Sequence, residues 1–163
     1  MIDFEKLFNA ERKLWSGIVI HHSLTKDQTT NDWDSIKKYH LSSGWQDIGY
    51  HFGIERIGED WTYQVGRPLS MTGAHTKGFN ETHLGICVVG NFDNQPMLNV
   101  QKFLLCSLVR EIQRMTGISK SNVIGHWESY IILGQANTQW EAQKIKTCPG
   151  LQVNMDKIRS YLL

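Results

Sequence analysis

Apolar runs of strand length alternate with amphipathic stretches along the 163 residues. In residues 3–16, Phe4, Leu7, Phe8 and Leu14 share helical spacing, while Glu5, Lys6, Glu11, Arg12 and Lys13 take the other face, which predicts a packing helix. Gly17–Thr25 reads G-I-V-I-H-H-S-L-T, three β-branched residues that favour a buried strand and then stop on two histidines and a hydroxyl. A polar turn, Lys26–Thr30, leads into a helix that Thr30 or Asn31 can cap, with Trp33, Ile36, Tyr39 and His40 on one side and Gly44 at its end.

Trp45–Val65 holds two extended runs joined by Ile57-Gly58-Glu59-Asp60, a hairpin signal, with Tyr50 opening the first strand. Gly66–Asn80 is rich in Gly, Thr and Ser and predicts a long surface loop, a length usually kept for function. Leu84–Val89 is a continuous apolar run, as in a central strand covered on both faces, with Cys87 as inert core. Asn99–Thr116 is the clearest helix, with Asn99 as cap, Val100, Phe103, Leu104, Leu108, Ile112 and Met115 on one stripe, and Gly117 as the stop. Asn122–Gly125 is a short strand leading into His126, Thr138–Glu141 fits a capping box, and a last helix spans 154–162 with Ile158 and Leu162 inward. The alternation predicts an α/β fold: a single domain over 1–163, with a central mixed β-sheet flanked by helices.

Composition narrows the chemistry. The formal charge is +1, and the lysine pairs 37/38 and 144/146 are not tracts, so nothing favours a nucleic-acid partner. No apolar run approaches the ~20 residues of a membrane span. Three cysteines leave one over in any disulfide scheme, which favours synthesis in a reducing compartment. Met1–Lys13 lacks the basic and apolar regions of a secretory signal.

Two segments end on histidine in the same manner, V-I-H-H-S and V-I-G-H-W-E, and K-T-C-P-G follows later. In a strand His21 and His22 point to opposite sides, so one of them serves a given site. Two imidazoles and a thiolate fill three positions of a tetrahedral zinc centre and leave the fourth for water, the catalytic arrangement.

These stretches also carry a family resemblance from Ser16 to about Lys157. V-I-H-H-S, Y-H-L-S-S-G-W-Q-D-I-G-Y-H-F, G-R-P with G-A-H-T-K-G-F-N, L-G-I-C-V-V-G-N-F, G-H-W-E and K-T-C-P-G resemble the zinc-dependent N-acetylmuramoyl-L-alanine amidases. The type is the one shared by phage lysozyme-like amidases and peptidoglycan recognition proteins. The resemblance implies that His21, His126 and Cys148 bind Zn2+, that Tyr50 and Lys146 assist catalysis, and that the Gly73–Asn80 loop borders the substrate groove. Against that pattern, Ser129–Lys144 lengthens the link between the second histidine and the cysteine.

A phenol near zinc can orient the attacking water or relay a proton, which suits Tyr50. Lys146 stands two residues before Cys148, the same side of an extended segment, where its ammonium can stabilise an oxyanion. His75 and Asn80 on the loop and Trp140 in the lengthened link are candidate substrate contacts, whereas Tyr130 is read as packing. Glu128 is expected to steady His126, and His22, His40, His51 and His83 to serve the scaffold or solvent. The implied activity is hydrolysis of the amide between N-acetylmuramic acid and L-alanine. The expected setting is a monomeric endolysin, made in the cytoplasm without a signal, that reaches peptidoglycan after a membrane lesion. A muropeptide-recycling amidase and a non-catalytic peptidoglycan-binding module are the alternatives.

Overall fold

Five strands pair into one sheet in the computed structural model, which describes residues 2–10, 13–25 and 33–163. In chain order the elements are α1 (Phe4–Ala10), β1 (Gly17–His22), α2 (Trp33–Ser42), β2 (Phe52–Ile57), β3 (Asp60–Val65) and β4 (His83–Val88). There follow α3 (Asn99–Thr116), a 3-10 turn (Lys120–Asn122), β5 (Val123–Gly125), α4 (His126–Ile132), α5 (Gln139–Ile145) and α6 (Met155–Ser160). The sheet order is β3-β2-β4-β1-β5, with only the β2–β3 pair antiparallel, so it is mixed as expected. Ile57 faces Asp60 across a two-residue turn whose first residue, Gly58, has φ +62°, a conformation glycine adopts without strain.

β4 is the middle strand, and β1 beside it is buried along its whole length. Ile18, Ile20, Phe52, Ile54, Leu84 and Ile86 pack against Leu105, Leu108, Val109 and Ile112 of α3 and Ile158 of α6. Across the sheet, Val19 meets Phe79 and Ile124, while Cys87 meets Trp33 and Ile48. Side chains alternate along β1, so His21 shares the Val19 face.

Several expectations change in detail. The first helix is described over Phe4–Ala10, the expected polar positions Glu11 and Arg12 lie outside the described residues, and 13–16 are not helical; Phe4 and Phe8 pack on Phe52, with centroids 6.1 and 6.5 Å away, but Leu14 is 93% exposed. The polar turn expected at Lys26–Thr30 and the caps expected at Thr30 and Asn31 lie outside the described residues; the Trp33 N–H donates to Glu55 Oε2 at 2.6 Å. Tyr50 stands two residues before β2 rather than opening it. Helix α3 has the predicted span, but Leu98 is its N-cap, and its N–H donates to Gln101 Oε1 at 2.8 Å. Phe103 and Val100 are exposed because the buried face is the one carrying Leu105, Leu108, Val109 and Ile112. At α5, Thr138 Oγ1 accepts from the Glu141 N–H as a capping box requires, while Glu141 returns its carboxylate to the Asn137 N–H. Among the described residues no helix is long and apolar enough to cross a membrane, and the three cysteines are free and buried.

Candidate metal centre

The carboxyl ends of parallel strands β1 and β5 lie side by side, and a crevice at such strand ends is where open α/β sheets bind ligands. β1 ends on His21 and His22, and β5 runs through Gly125 into His126, the first residue of α4. Cys148 enters from the segment after α5, with its carbonyl accepting from the Trp127 N–H at 2.8 Å. Asp93 brackets that segment: Oδ2 accepts from Thr147 Oγ1 at 2.8 Å and Oδ1 from the Leu151 N–H at 3.0 Å. Gly150 has φ +125°, and a Cβ there would fall 2.5 Å from Phe92 Cβ, so the turn after Cys148 needs a glycine.

His21 Nδ1 lies 3.2 Å from His126 Nδ1 and 3.5 Å from Cys148 Sγ, and the three donor atoms all fall within 4.8 Å of one another. A tetrahedral zinc with bonds of about 2.0–2.3 Å has ligand-to-ligand edges of about 3.3–3.6 Å, so this donor set fits that metal. Burial holds His21 well below the ordinary histidine range, aided by the positive fields of His126, His75, His22 and Lys146. Burial also brings His126 down to about 4, so both rings are neutral with lone pairs available at neutral pH. The Cys148 thiol is pushed up to about 12, chiefly by burial; the His22 backbone N–H and Lys146 pull the other way. A bound divalent cation supplies the charge that would let this thiol ionise.

The three donors open onto a cleft of about 630 Å³ lined also by Tyr50, His75, Trp45 and Lys146. The Tyr50 ring centroid is 5.1 Å from that of His21, and the ring packs against the cluster of Trp33, Ile48 and Cys87. Burial and the nearby Cys87 and Cys148 thiols raise the phenol well above its ordinary value, so Tyr50 stays protonated. Cys87 is therefore core, as expected, and also part of the floor under Tyr50. Lys146 ends α5 in extended conformation, φ −152° and ψ 121°, with an exposed side chain on the cleft.

The family described as N-acetylmuramoyl-L-alanine amidase matches residues 11–151. The chain belongs to that family. It is 34% identical over 152 residues to peptidoglycan-recognition protein SC2 of Drosophila melanogaster, covering 90% of this chain and 73% of that protein. It is 40% identical over 83 residues to the endolysin of Klebsiella phage KP32, covering 51% of this chain and 53% of the endolysin. The chain thus spans about half the length of that phage relative. Among solved structures, the endolysin N-acetylmuramoyl-L-alanine amidase LysCS of Clostridium intestinale URNW superposes with a TM-score of 0.70 at 26% identity, covering 91% of this chain and 83% of that one.

Within this amidase fold the other candidates fall into distinct places. His75 Nδ1 is 3.1 Å from His21 Nε2, so its ring is engaged inside the protein while still lining the cleft. Asn80 Oδ1 accepts from the His75 and Thr76 N–H groups at 2.8 Å each, holding the loop together, and it borders an adjoining groove with Trp45 and Lys77. Trp140 is 66% exposed on α5, with Lys144 Nζ 3.2 Å from its ring centroid, and it is not among the residues lining the cleft. Tyr130 lies flat on His126 at 6.0 Å and 8°, and it packs with Trp127, Ala136 and Ala142.

Glu128 does not touch the His126 ring: Oε2 accepts from the Gly125 N–H at 2.7 Å, and both oxygens fork onto Arg159 at 2.9 Å. It steadies the turn into His126 instead. His22, expected to face away, lines the same cleft because it sits at the strand end; its Nδ1 accepts from the Phe92 N–H at 3.2 Å. His40 likewise lines the cleft, stacked on Trp45 at 4.4 Å. His51 is scaffold, with Nδ1 accepting from the Gly85 N–H and Nε2 donating to the Met71 carbonyl. His83 is scaffold too, packed edge-on against Phe79. Sequence reasoning missed Asp93 and Thr76, whose partners lie 54 and 55 residues away and leave no local pattern.

Proposed function

We propose that the protein is a zinc-dependent peptidoglycan hydrolase of the endolysin kind, which cuts the amide between N-acetylmuramic acid and L-alanine. The observation that carries this reading is the convergence of His21 Nδ1, His126 Nδ1 and Cys148 Sγ, at zinc-like spacing, on the floor of an open cleft in a member of the amidase family. With three protein donors among the described residues, one coordination position is left for water or a substrate oxygen. When bound, zinc supplies Lewis acidity towards the scissile carbonyl and acidifies water.

The chain's own residues do the rest. Tyr50, kept protonated by burial and packed beside Cys87, orients a water or the carbonyl through its hydroxyl. Lys146 brings a flexible ammonium to the rim, where it stabilises negative charge developing on the former carbonyl oxygen and offers a proton towards the leaving amine. Asn80 and His75 shape the loop that borders the cleft, which suits an extended glycopeptide. Trp140 lies off the cleft, so a part in substrate binding falls to longer glycan strands rather than to the scissile unit.

The test is dye release from labelled sacculi, with liberated stem peptides analysed for a free L-alanine amino terminus, run with and without chelator and with zinc restored. Chelator-sensitive release of such peptides is the expected result. Binding to sacculi without cleavage would instead make the protein a recognition module. Cleavage of soluble anhydro-muropeptides but not of sacculi would point to recycling.

A further inference from the structure

The two nitrogens of the His21 ring face different company. Nδ1 points to His126 and Cys148, whereas Nε2 lies 3.1 Å from His75 Nδ1 and 3.3 Å from Thr76 Oγ1. His75 in turn has its own Nε2 3.2 Å from the main-chain oxygen of His83, at the start of β4. A carbonyl can only accept, so His75 must carry its proton on Nε2. A neutral His75 protonated there has a lone pair on Nδ1, which lies 3.1 Å from both His21 Nε2 and Thr76 Oγ1, and we take the proton of His21 Nε2 to complete the hydrogen bond at that end, with the hydroxyl beside it. His21 is then left with its lone pair on Nδ1, the nitrogen that faces the other two donors.

We propose that His75 is a positioning residue of the metal centre, which passes the polarity of the His83 carbonyl to His21 and so keeps the Nδ1 lone pair of His21 turned towards His126 and Cys148. The backbone is shaped for this ring. A Cβ at Gly85 or at Gly73 would come within 2.5 Å of His75 Cδ2, so both glycines leave the slot that the imidazole occupies. Asn80 fastens the His75 N–H from the other side, and the His21 and His75 rings meet edge to face at 5.0 Å and 80°. The pattern G-A-H in a loop and L-G-I in a strand thus serves one ring. This inference rests on the zinc reading of His21, His126 and Cys148, and it gives His75 a task inside the protein rather than on the substrate.

The experiment has two readouts. Zinc affinity is measured by competition with a chelating dye for the full chain and for His75→Ala, His75→Asn and Thr76→Val. Imidazole tautomers are read from long-range 1H–15N correlations in the zinc-loaded and zinc-free wild-type protein. Outer hydrogen-bond partners of ligating histidines typically contribute 10–100-fold in metal affinity, so His75→Ala is expected to weaken zinc binding by roughly that factor. His75→Asn should recover most of it, because Oδ1 takes the place of Nδ1 and still accepts, which a purely structural role for the ring would not allow. Thr76→Val should weaken binding less than His75→Ala. Both His75 and His21 should be Nε2–H tautomers in the wild type. A His75 protonated on Nδ1, or a folded His75→Ala that binds zinc as the wild type does, would overturn the proposal. If His75→Ala does not fold, the wild-type tautomers decide. If the wild type binds no zinc, the metal reading fails, and the tautomers in the zinc-free protein still judge the relay.

Discussion

Two of the three candidate ligands are held by different means, and the contrast says where the site is rigid. His21 ends a strand whose backbone pairs with β4 on one side and β5 on the other, and its ring is backed by His75, itself tied to a β4 carbonyl. Cys148 comes from a connection outside the sheet, held by the Trp127 N–H, by Asp93 through Thr147 and Leu151, and by a glycine turn. The outer face of that connection is open, with Ile132, Leu133, Trp140 and Ile145 all exposed. The strand side is built from buried backbone hydrogen bonds that resist local opening. The Cys148 side depends on a few isolated backbone bonds and the Asp93 side-chain ties rather than on a continuous ladder, so it is the part that can yield when metal is absent or substrate binds.

The largest effect should come from removing a donor outright. Cys148→Ala and His126→Ala are each expected to lose stoichiometric zinc by metal analysis and amide cleavage with it. A variant that keeps one zinc per chain would remove that residue from the centre. Lys146→Ala should separate chemistry from metal binding: kcat falls on the order of 10²–10³, as for a lost oxyanion donor, while zinc content is unchanged.

Acid should find the strand side through its histidines. His51 is fully buried, and burial lowers it to about 4, with the Met71 carbonyl opposing and the Arg67 and Lys13 charges adding to the drop. The unfolded chain takes up that proton near pH 6.5 and the folded protein only near 4, so the unfolded state binds more protons in between. Stability is therefore present above about pH 6.5 and lost as pH falls towards 4, by about 3 kcal/mol for this group. Urea midpoints of the zinc-free protein at pH 7 and pH 4.5 should show the loss, and His51→Gln should flatten the slope.

Asp93→Ala probes the other side. Two hydrogen bonds to a carboxylate disappear, and about 2 kcal/mol of stability should go with them in urea unfolding, together with a weaker hold on zinc. An unchanged zinc affinity would mean that the glycine turn and the Trp127 N–H hold Cys148 unaided. The smallest effect is expected from Trp140→Ala, which should leave KM for soluble muropeptides unchanged. A raised KM there would return this ring to the cleft.

Local chemistry alone made most of the fold legible. Strand β4, helix α3 and the hairpin turn at Gly58 announce themselves because apolar period, cap and turn residues lie within a few positions of one another. The convergence of His21, His126 and Cys148 as a candidate trio was legible for a related reason, since histidines closing β-branched runs and a cysteine before Pro-Gly are local marks, and the ordered set resembled a family. What no local pattern could carry was the company each ring keeps. Strand alternation assigned His22 to the far side, but alternation holds only within a strand, and at its end both rings reach one cleft. Glu128 stands two residues from His126 yet is taken by Arg159, 31 residues away, because a charge-assisted fork outcompetes a nearby ring. His75 looked like a surface group on a glycine-rich loop, and only the approach of that loop to Gly85 and to the end of β1 showed both ring nitrogens engaged. Sequence determines which donors exist; tertiary packing decides which lone pair each one presents, because a hydrogen bond is set by distance and direction in space and not by separation along the chain.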